Sequence, residues 1–260
     1  MRPESAQVLW TISIVSHGHG ARILQGIHDL RRHLDGIEYR LVLTFNASED
    51  TDFLQQLPAT VLERTRVIRN AQPRGFAANH NAALLGAQSH YVLAADPDLA
   101  IEHNTFPALE AALSAADCGI ASPLACDPNG VPEDNGRSLV TPGSLLRRYL
   151  RGRHRDVVKT TSGTLEVDWL AGLFLALRSE TFDRLQGFDE QYYMYCEDVD
   201  LGLRARALGL KVCLLCDVRI THAANRNTLK RREHFLWHVA SLWRLWRTPA
   251  YRALNNRRLR

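Results

Sequence analysis

"VLWTISIVSHGHG", Val8 to Gly20, is a run of apolar and β-branched residues that stops on small and polar ones. Such a run, closed by glycine, reads as a buried strand that delivers a loop. Helical spacing follows at once in "ARILQGIHDLRRHL" (21–34). Outward from there the alternation continues. "YRLVLTFNASED" (39–50) is a second strand ending in turn formers, and "TRVIRNAQPRGF" (65–76) is a third short strand with its loop. "AANHNAALLGAQS" (77–89) is a helix of small residues, and "HYVLAADPDLAI" (90–101) is a strand broken at Pro97. Strand–helix alternation of this kind predicts a parallel α/β sheet with helices on both faces. Ligands of such sheets sit beyond the carboxyl ends of the strands. Ser16-His17-Gly18, Asn46 to Asp50, and Asp96-Pro97-Asp98 all fall there.

The second half is less regular. "TFPALEAALSA" (105–115) predicts a helix. Residues 118–144 are rich in Pro, Gly, Asn and Asp and read as a long loop, followed by a basic stretch at 145–159. "VDWLAGLFLALRSETFDRLQGFDEQYY" (167–193) holds a strand, a helix with Ser179 as its N-cap, and a turn at Gly187. No internal repeat or low-complexity segment is present.

Composition narrows the class. The 260 residues are 45% hydrophobic and 23% charged, as in a soluble globular protein with a sizeable core. The net charge of +4 is unevenly spread. Residues 226–260 carry ten Lys/Arg against Glu233, a net of +9, so the rest is about −5. No apolar run is long enough to span a bilayer, and the first twenty residues lack a cleavage site, so a cytoplasmic protein is expected. Cys213 and Cys216 have C-x-x-C spacing but lie on a strand, where their side chains point to opposite faces; this disfavours a disulfide or a shared metal. Five scattered cysteines read as reduced thiols.

Four groups could carry chemistry. Asp96 and Asp98, on a chain stiffened by Pro97, can share a divalent cation and a ribose; oxygen ligands suit Mg²⁺ or Mn²⁺. The bland reading is a turn with solvated acids. "NAQPRGFAANHNAAL" (70–84) offers Gly75 for close backbone approach to a ligand, or a plain helix cap. "YYMYCEDVDLGLRARALG" (192–209) drives three tyrosines into Glu197, Asp198 and Asp200 at a helix start. A helix N-terminus favours anions, so these acids are expected to stay ionised near neutral pH, with one of them suited to be a general base. Asp200 and Arg204 should pair at i, i+4, and capping by Asp198 is the simpler role. His222, just past a strand, could complete a metal site or be a packing residue.

The order of these elements resembles the family 2 glycosyltransferases of GT-A fold, in particular their bacterial rhamnosyltransferase-like branch, over about residues 8–228. The resemblance implies a mostly parallel sheet flanked by helices, with a nucleotide-sugar half (8–98) and an acceptor half (99–228) in a 1–228 domain; residues 229–260, beyond it, read from their own pattern as a basic amphipathic helical tail. It implies Asp98 and His222 as metal ligands for Mg²⁺ or Mn²⁺, Asp96 on the ribose or donor, and Asp198 of Glu197-Asp198 as catalytic base. Ser16, Arg74, Gly75 and Asn79 match the donor pocket. Trp169, Ala171 and Gly172 match the acceptor-side loop, with Tyr192, Tyr193 and Tyr195 as a sugar wall beside Glu197. The activity implied is inverting transfer of a sugar, best matched by rhamnose from dTDP-rhamnose, to a saccharide or lipid-linked saccharide. Phe45 stands where the family often has the Asp that contacts the base, so uracil and thymine are not distinguished, and "VSHGHG" replaces V-S-Y-N.

The tail places Phe235, Val239, Leu242, Trp243 and Trp246 on one helical face. That suits a membrane surface at the inner face of the cytoplasmic membrane, or packing on the catalytic core or on a second subunit of a homodimer. No nucleic-acid motif accompanies the charge. The rival classes are a sugar nucleotidyltransferase and a non-catalytic sugar- or lipid-binding protein on the same fold.

Overall fold

The computed structural model describes residues 8–143, 162–222 and 232–258; the basic stretch 145–159 and residues 223–231 lie outside these. The opening apolar run forms β1 (Trp10–Ser16). After it come α1 (Ile23–His33), β2 (Tyr39–Phe45), α2 (Ala59–Leu62), β3 (Thr65–Arg69), α3 (Phe76–Leu84) and β4 (Tyr91–Ala95). These strands run parallel in the order β3-β2-β1-β4. The period of two along β1 serves both faces. Trp10, Ile12 and Ile14 pack in the layer that takes Ile23, Ile27 and Leu30 of α1. On the other face the Ser13 hydroxyl meets His80 Nδ1 of α3 at 2.9 Å.

The second half adds β5 (Leu99–Ala100), α4 (Phe106–Ser114), β6 (Cys118–Cys126), β7 (Gly136–Arg137) and β8 (Thr164–Val167). Then follow β9 (Trp169–Leu170), β10 (Phe174–Arg178), α5 (Ser179–Arg184), α6 (Glu197–Ala207) and β11 (Lys211–His222). β10 inserts antiparallel between β4 and β6, so the parallel half ends at β4 and the sheet is mixed. Residues 118–126 are not loop. They form a strand buried along its whole length. Pro123 and Gly119 read as turn signals, yet Pro123 sits beside an irregularity in the β6–β11 pairing, where a strand tolerates proline. Ser179 is likewise not a cap; β10 runs straight into α5, with Arg178 at the cap position and no side-chain capping bond.

Cys213 packs in the α1 layer and Cys216 in the opposite one, and all five cysteines are free and buried. The chain closes with α7 (Arg232–Leu245) and α8 (Pro249–Arg258). Leu242, Leu245 and Tyr251 join Leu139, Trp169, Tyr192, Val199 and Leu203 in a third apolar cluster. The stripe read from the sequence therefore divides. Leu242 packs inward, and the Trp246 indole donates to Val140 O at 3.0 Å, while Phe235, Val239 and Trp243 stay exposed. No helix among the described residues is long and apolar enough to cross a membrane.

Candidate active site

The Asp96-Pro97-Asp98 corner leaves β4, and β5 directly after it pairs antiparallel with the end of β11, Leu99 opposite His222. That pairing brings His222 to the corner. One ligand atom from each of Asp96, Asp98 and His222 lies within 4.8 Å of the others. His222 Nε2 is 3.6 Å from Asp98 Oδ1, and Nδ1 donates to Glu133 Oε2 at 2.9 Å. The Asp96 carboxyl is pushed up to about 7, chiefly by desolvation; His222 opposes this, and the charges of Asp98 and Asp198 add to it. Two carboxylates and an imidazole suit a divalent cation, and a cation there would relieve the crowding of like charge.

The E-D pair opens α6. Tyr195 and Cys196, just before it, are both left-handed, with φ of 72° and 66°. Two consecutive non-glycine residues in that region cost about 1–3 kcal/mol each and occur where the fold fixes a functional group. Asp198 follows at the second helical position, partly open to the cleft. Its Oδ1 accepts from the Val199 N–H at 2.8 Å and its Oδ2 from the Gly172 N–H at 3.0 Å. Asp198 is thus not the N-cap; Cys196 stands there. Burial works against the helix terminus at these acids. Desolvation raises Asp198 in spite of its backbone donors and the Arg137 charge. Glu197, 6% exposed, is raised well above the carboxylate range by burial and by Asp198 beside it. The Asp96 N–H donates to Leu173 O at 2.8 Å and the neighbouring Gly172 N–H donates to Asp198 at 3.0 Å, so one loop ties both acidic pairs to a shared cleft, where the Asp198 charge adds to the raising of Asp96.

The loop at Arg74 is set by amides. Asn46 donates to Arg74 O and accepts from the Arg74 N–H, both at 2.8 Å. Asn70 joins Asn46 to Asn79, and Asn79 donates to Arg74 O at 3.1 Å. Asn79 is buried, so it shapes the pocket from beneath instead of lining it. A Cβ on Gly75 would lie 2.4 Å from Tyr193 O, so only glycine fits there. The Arg74 side chain is about half exposed and 3.9 Å from Glu190. Ser16 is buried; its hydroxyl donates to Glu49 Oε2 at 2.9 Å and accepts from the His19 N–H.

On the acceptor side, Gly172 carries its N–H to Asp198, while the Ala171 N–H is tied to Asn135 O at 2.8 Å. The Trp169 ring is buried and donates to Ser138 O at 2.9 Å, so it supports the loop from the core. Gly202 of α6 lets that helix close on it, since a Cβ there would meet Trp169 Cβ at 2.9 Å. The tyrosine wall is also redrawn. Tyr192 is 1% exposed and belongs to the core. Tyr195 stays half-buried, its hydroxyl 2.8 Å from His234 Nδ1. Tyr193 stacks near Trp237 with ring centroids 4.9 Å apart.

A family model described as Glycosyltransferase like family 2 matches residues 11–240. The chain belongs to that family. It is 26% identical over 249 residues to the rhamnosyltransferase WbbL of Escherichia coli K12, covering 90% of both chains. It is 29% identical over 176 residues to the N-acetylglucosaminyl-diphospho-decaprenol L-rhamnosyltransferase of Mycobacterium tuberculosis, covering 59% of this chain and 56% of that one. In fold it matches the mannosyltransferase PcManGT of Pyrobaculum calidifontis, solved with GDP-Man and Mn²⁺. The TM-score is 0.61 at 17% identity, over 93% of this chain and 66% of that one. It also matches GalNAc-T7, solved with UDP, GalNAc and Mn²⁺, with a TM-score of 0.64 at 18% identity, over 82% of this chain and 43% of that one. The fold is GT-A, and the protein is a glycosyltransferase.

This glycosyltransferase also holds groups that the sequence did not single out. Glu133 lies within the stretch read as loop, and only the β5–β11 pairing reveals that it stands behind His222. Glu49 lay inside the Asn46–Asp50 stretch without a role of its own, and it gathers the Ser16 hydroxyl and the Gly18 and Gly20 N–H groups. His234, Trp237 and His238 come from α7 onto Tyr193 and Tyr195. Their i, i+3, i+4 spacing was a legible signal, hidden by the apolar residues between them.

Proposed function

We propose that the protein moves a sugar, L-rhamnose from dTDP-rhamnose as the best-matched donor, onto a saccharide or lipid-linked saccharide, with inversion, during synthesis of a bacterial surface polysaccharide. The observation that carries this reading is the shared cleft, with Asp96, Asp98 and His222 on one side and Asp198 on the other. Asp98 and His222 would hold Mg²⁺ or Mn²⁺, with Asp96 beside them toward the ribose. When bound there, the cation would offset the charge of a nucleoside diphosphate leaving group. Ser16 and the amide-pinned Arg74–Gly75 loop border the space for the donor.

Asp198 takes the proton from the acceptor hydroxyl as that oxygen attacks the anomeric carbon. The bond from that carbon to the diphosphate oxygen breaks on the opposite face, and the nucleoside diphosphate leaves. The raised Asp198 makes it a better base near neutral pH than an ordinary carboxylate. The Gly172 N–H aims it. Tyr195 and Glu197 border the acceptor side, and the lipid-linked acceptor would bring the enzyme to the inner face of the cytoplasmic membrane. The test is chromatographic detection of dTDP released from dTDP-rhamnose in the presence of lipid-linked N-acetylglucosamine. Release that needs both acceptor and metal supports the reading; release with UDP- or GDP-sugars alone would reassign the donor.

A further inference from the structure

The outer face of α7 has no described partner. Phe235 is 69% exposed, Leu236 64%, Val239 48% and Trp243 58%. Their positions, i, i+1, i+4 and i+8, fall within one side of a helix with 3.6 residues per turn. The inward side of the same helix is committed elsewhere. Leu242 and Leu245 are buried in the third cluster, and the Ser241 hydroxyl donates to Met194 O at 2.9 Å. Exposure of the outer residues is therefore not a helix facing the wrong way; α7 has two apolar faces, and the described residues cover one. At the lower end of the stripe the Arg247 guanidinium sits 3.9 Å from the centre of the Trp243 ring, a cation against the aromatic face.

We propose that this face, Phe235, Leu236, Val239 and Trp243 with Arg247, docks on an anionic lipid bilayer and lies in its interface. A contiguous exposed apolar patch marks a contact surface. The local charge selects which contact. The described tail, 232–258, carries six Arg against Glu233, a net of +5, so pairing this face with a second copy would bring two such segments together, whereas anionic headgroups complement them. Trp and Phe beside Arg are the residues that settle at a headgroup boundary.

One helix then does two things. Its stripe meets lipid, and its adjoining side carries His234, Trp237 and His238 onto Tyr193 and Tyr195, next to Glu197-Asp198. A saccharide held at the bilayer surface by its lipid would meet the cleft along that side. This last step rests on the function proposed above; the docking itself does not.

The experiment is co-sedimentation of the full chain with vesicles of phosphatidylcholine alone or mixed with phosphatidylglycerol, without substrate or metal. The wild type should bind the mixed vesicles, less so as salt rises, and Phe235→Ser/Trp243→Ser should lower binding by about tenfold or more. Both positions are exposed, so the melting temperature should stay within a degree or two, which shows that the variant folds. Arg247→Glu should weaken binding to the mixed vesicles while leaving the melting temperature in place. Wild-type protein that stays in the supernatant, or a double variant that binds equally well, would overturn the proposal. So would a lipid-free dimer, seen by analytical ultracentrifugation, that the double variant dissociates. Loss of vesicle binding with dTDP release from a water-soluble acceptor intact would separate docking from catalysis; failure of release with docking intact would count only against the proposed function.

Discussion

Around Asp96, carboxyls are withdrawn from water and crowded together; along the outer face of α7, four large apolar side chains stand in it. Both regions are unfavourable for an isolated chain, for opposite reasons. A desolvated carboxylate needs opposite charge or a proton. An exposed aromatic needs a surface. The cleft supplies only a partial answer, through His222 and the backbone donors to Asp198, and so points to a cation and a diphosphate. The α7 face points to lipid. The difference is one of rigidity. The cleft is braced from behind by Glu133, Gly172 and the Asn46–Asn70–Asn79 amides, while the stripe has no second layer among the described residues.

The strongest way to break the contrast is at its reactive end. Asp198→Asn keeps the shape, but its single carbonyl oxygen can accept only one of the two backbone N–H bonds, and the amide cannot take a proton. Sugar transfer should fall by about 10²–10⁴-fold with nucleotide affinity retained; near-wild-type turnover would remove Asp198 as the base. Next is the brace behind the metal ligand. Glu133→Leu should weaken Mn²⁺ binding by about 10–100-fold, measured by titration calorimetry, because His222 loses the acceptor that fixes its tautomer and orientation. An unchanged affinity would make Glu133 a bystander.

The two faces of α7 can be set against each other directly. Leu245→Ala, at a fully buried position, should cost about 2–5 kcal/mol in urea denaturation. Phe235→Ser on the outer face should stay within about 0.5 kcal/mol. Equal losses would mean that the stripe is part of the core after all. The smallest effect is on pH. Asp96 titrates near 7 in the fold against 3.8 as the ordinary value. Between those limits the folded protein holds a proton that a bound cation must displace. The extra melting temperature conferred by Mn²⁺ should therefore grow as pH rises toward 7 and level off above it. The difference with and without metal is the quantity to follow, because the buried His80, pushed down to about 3 by desolvation, destabilises the metal-free protein in the other direction as pH falls.

The first hundred residues were largely legible, since β1 to β4 and their helices follow apolar periodicity directly. The second half was not. β6 hides behind Pro123, and β10 runs antiparallel, which no spacing in "FLALR" announces. The motifs of the site could be named in order, yet their assembly depends on β5 pairing with β11, a contact between distant segments. The same holds for Glu133. The helix-dipole argument for Glu197 and Asp198 was incomplete, because it weighed a local effect without the desolvation that tertiary packing imposes. The tyrosines before them looked like one wall, but Tyr192 turns into the core, while side chains from α7 pack on Tyr193 and Tyr195.

The most direct measurement is the melting temperature of wild type and Asp98→Asn with dTDP, UDP, GDP and CMP, each with and without Mn²⁺. Ligands that bind only the folded state raise it by mass action. The expected result is a shift with one nucleoside diphosphate that requires Mn²⁺ and is lost in Asp98→Asn. A nucleotide shift of equal size without metal, unchanged in Asp98→Asn, would contradict the reading of the acidic cleft as a metal–diphosphate site.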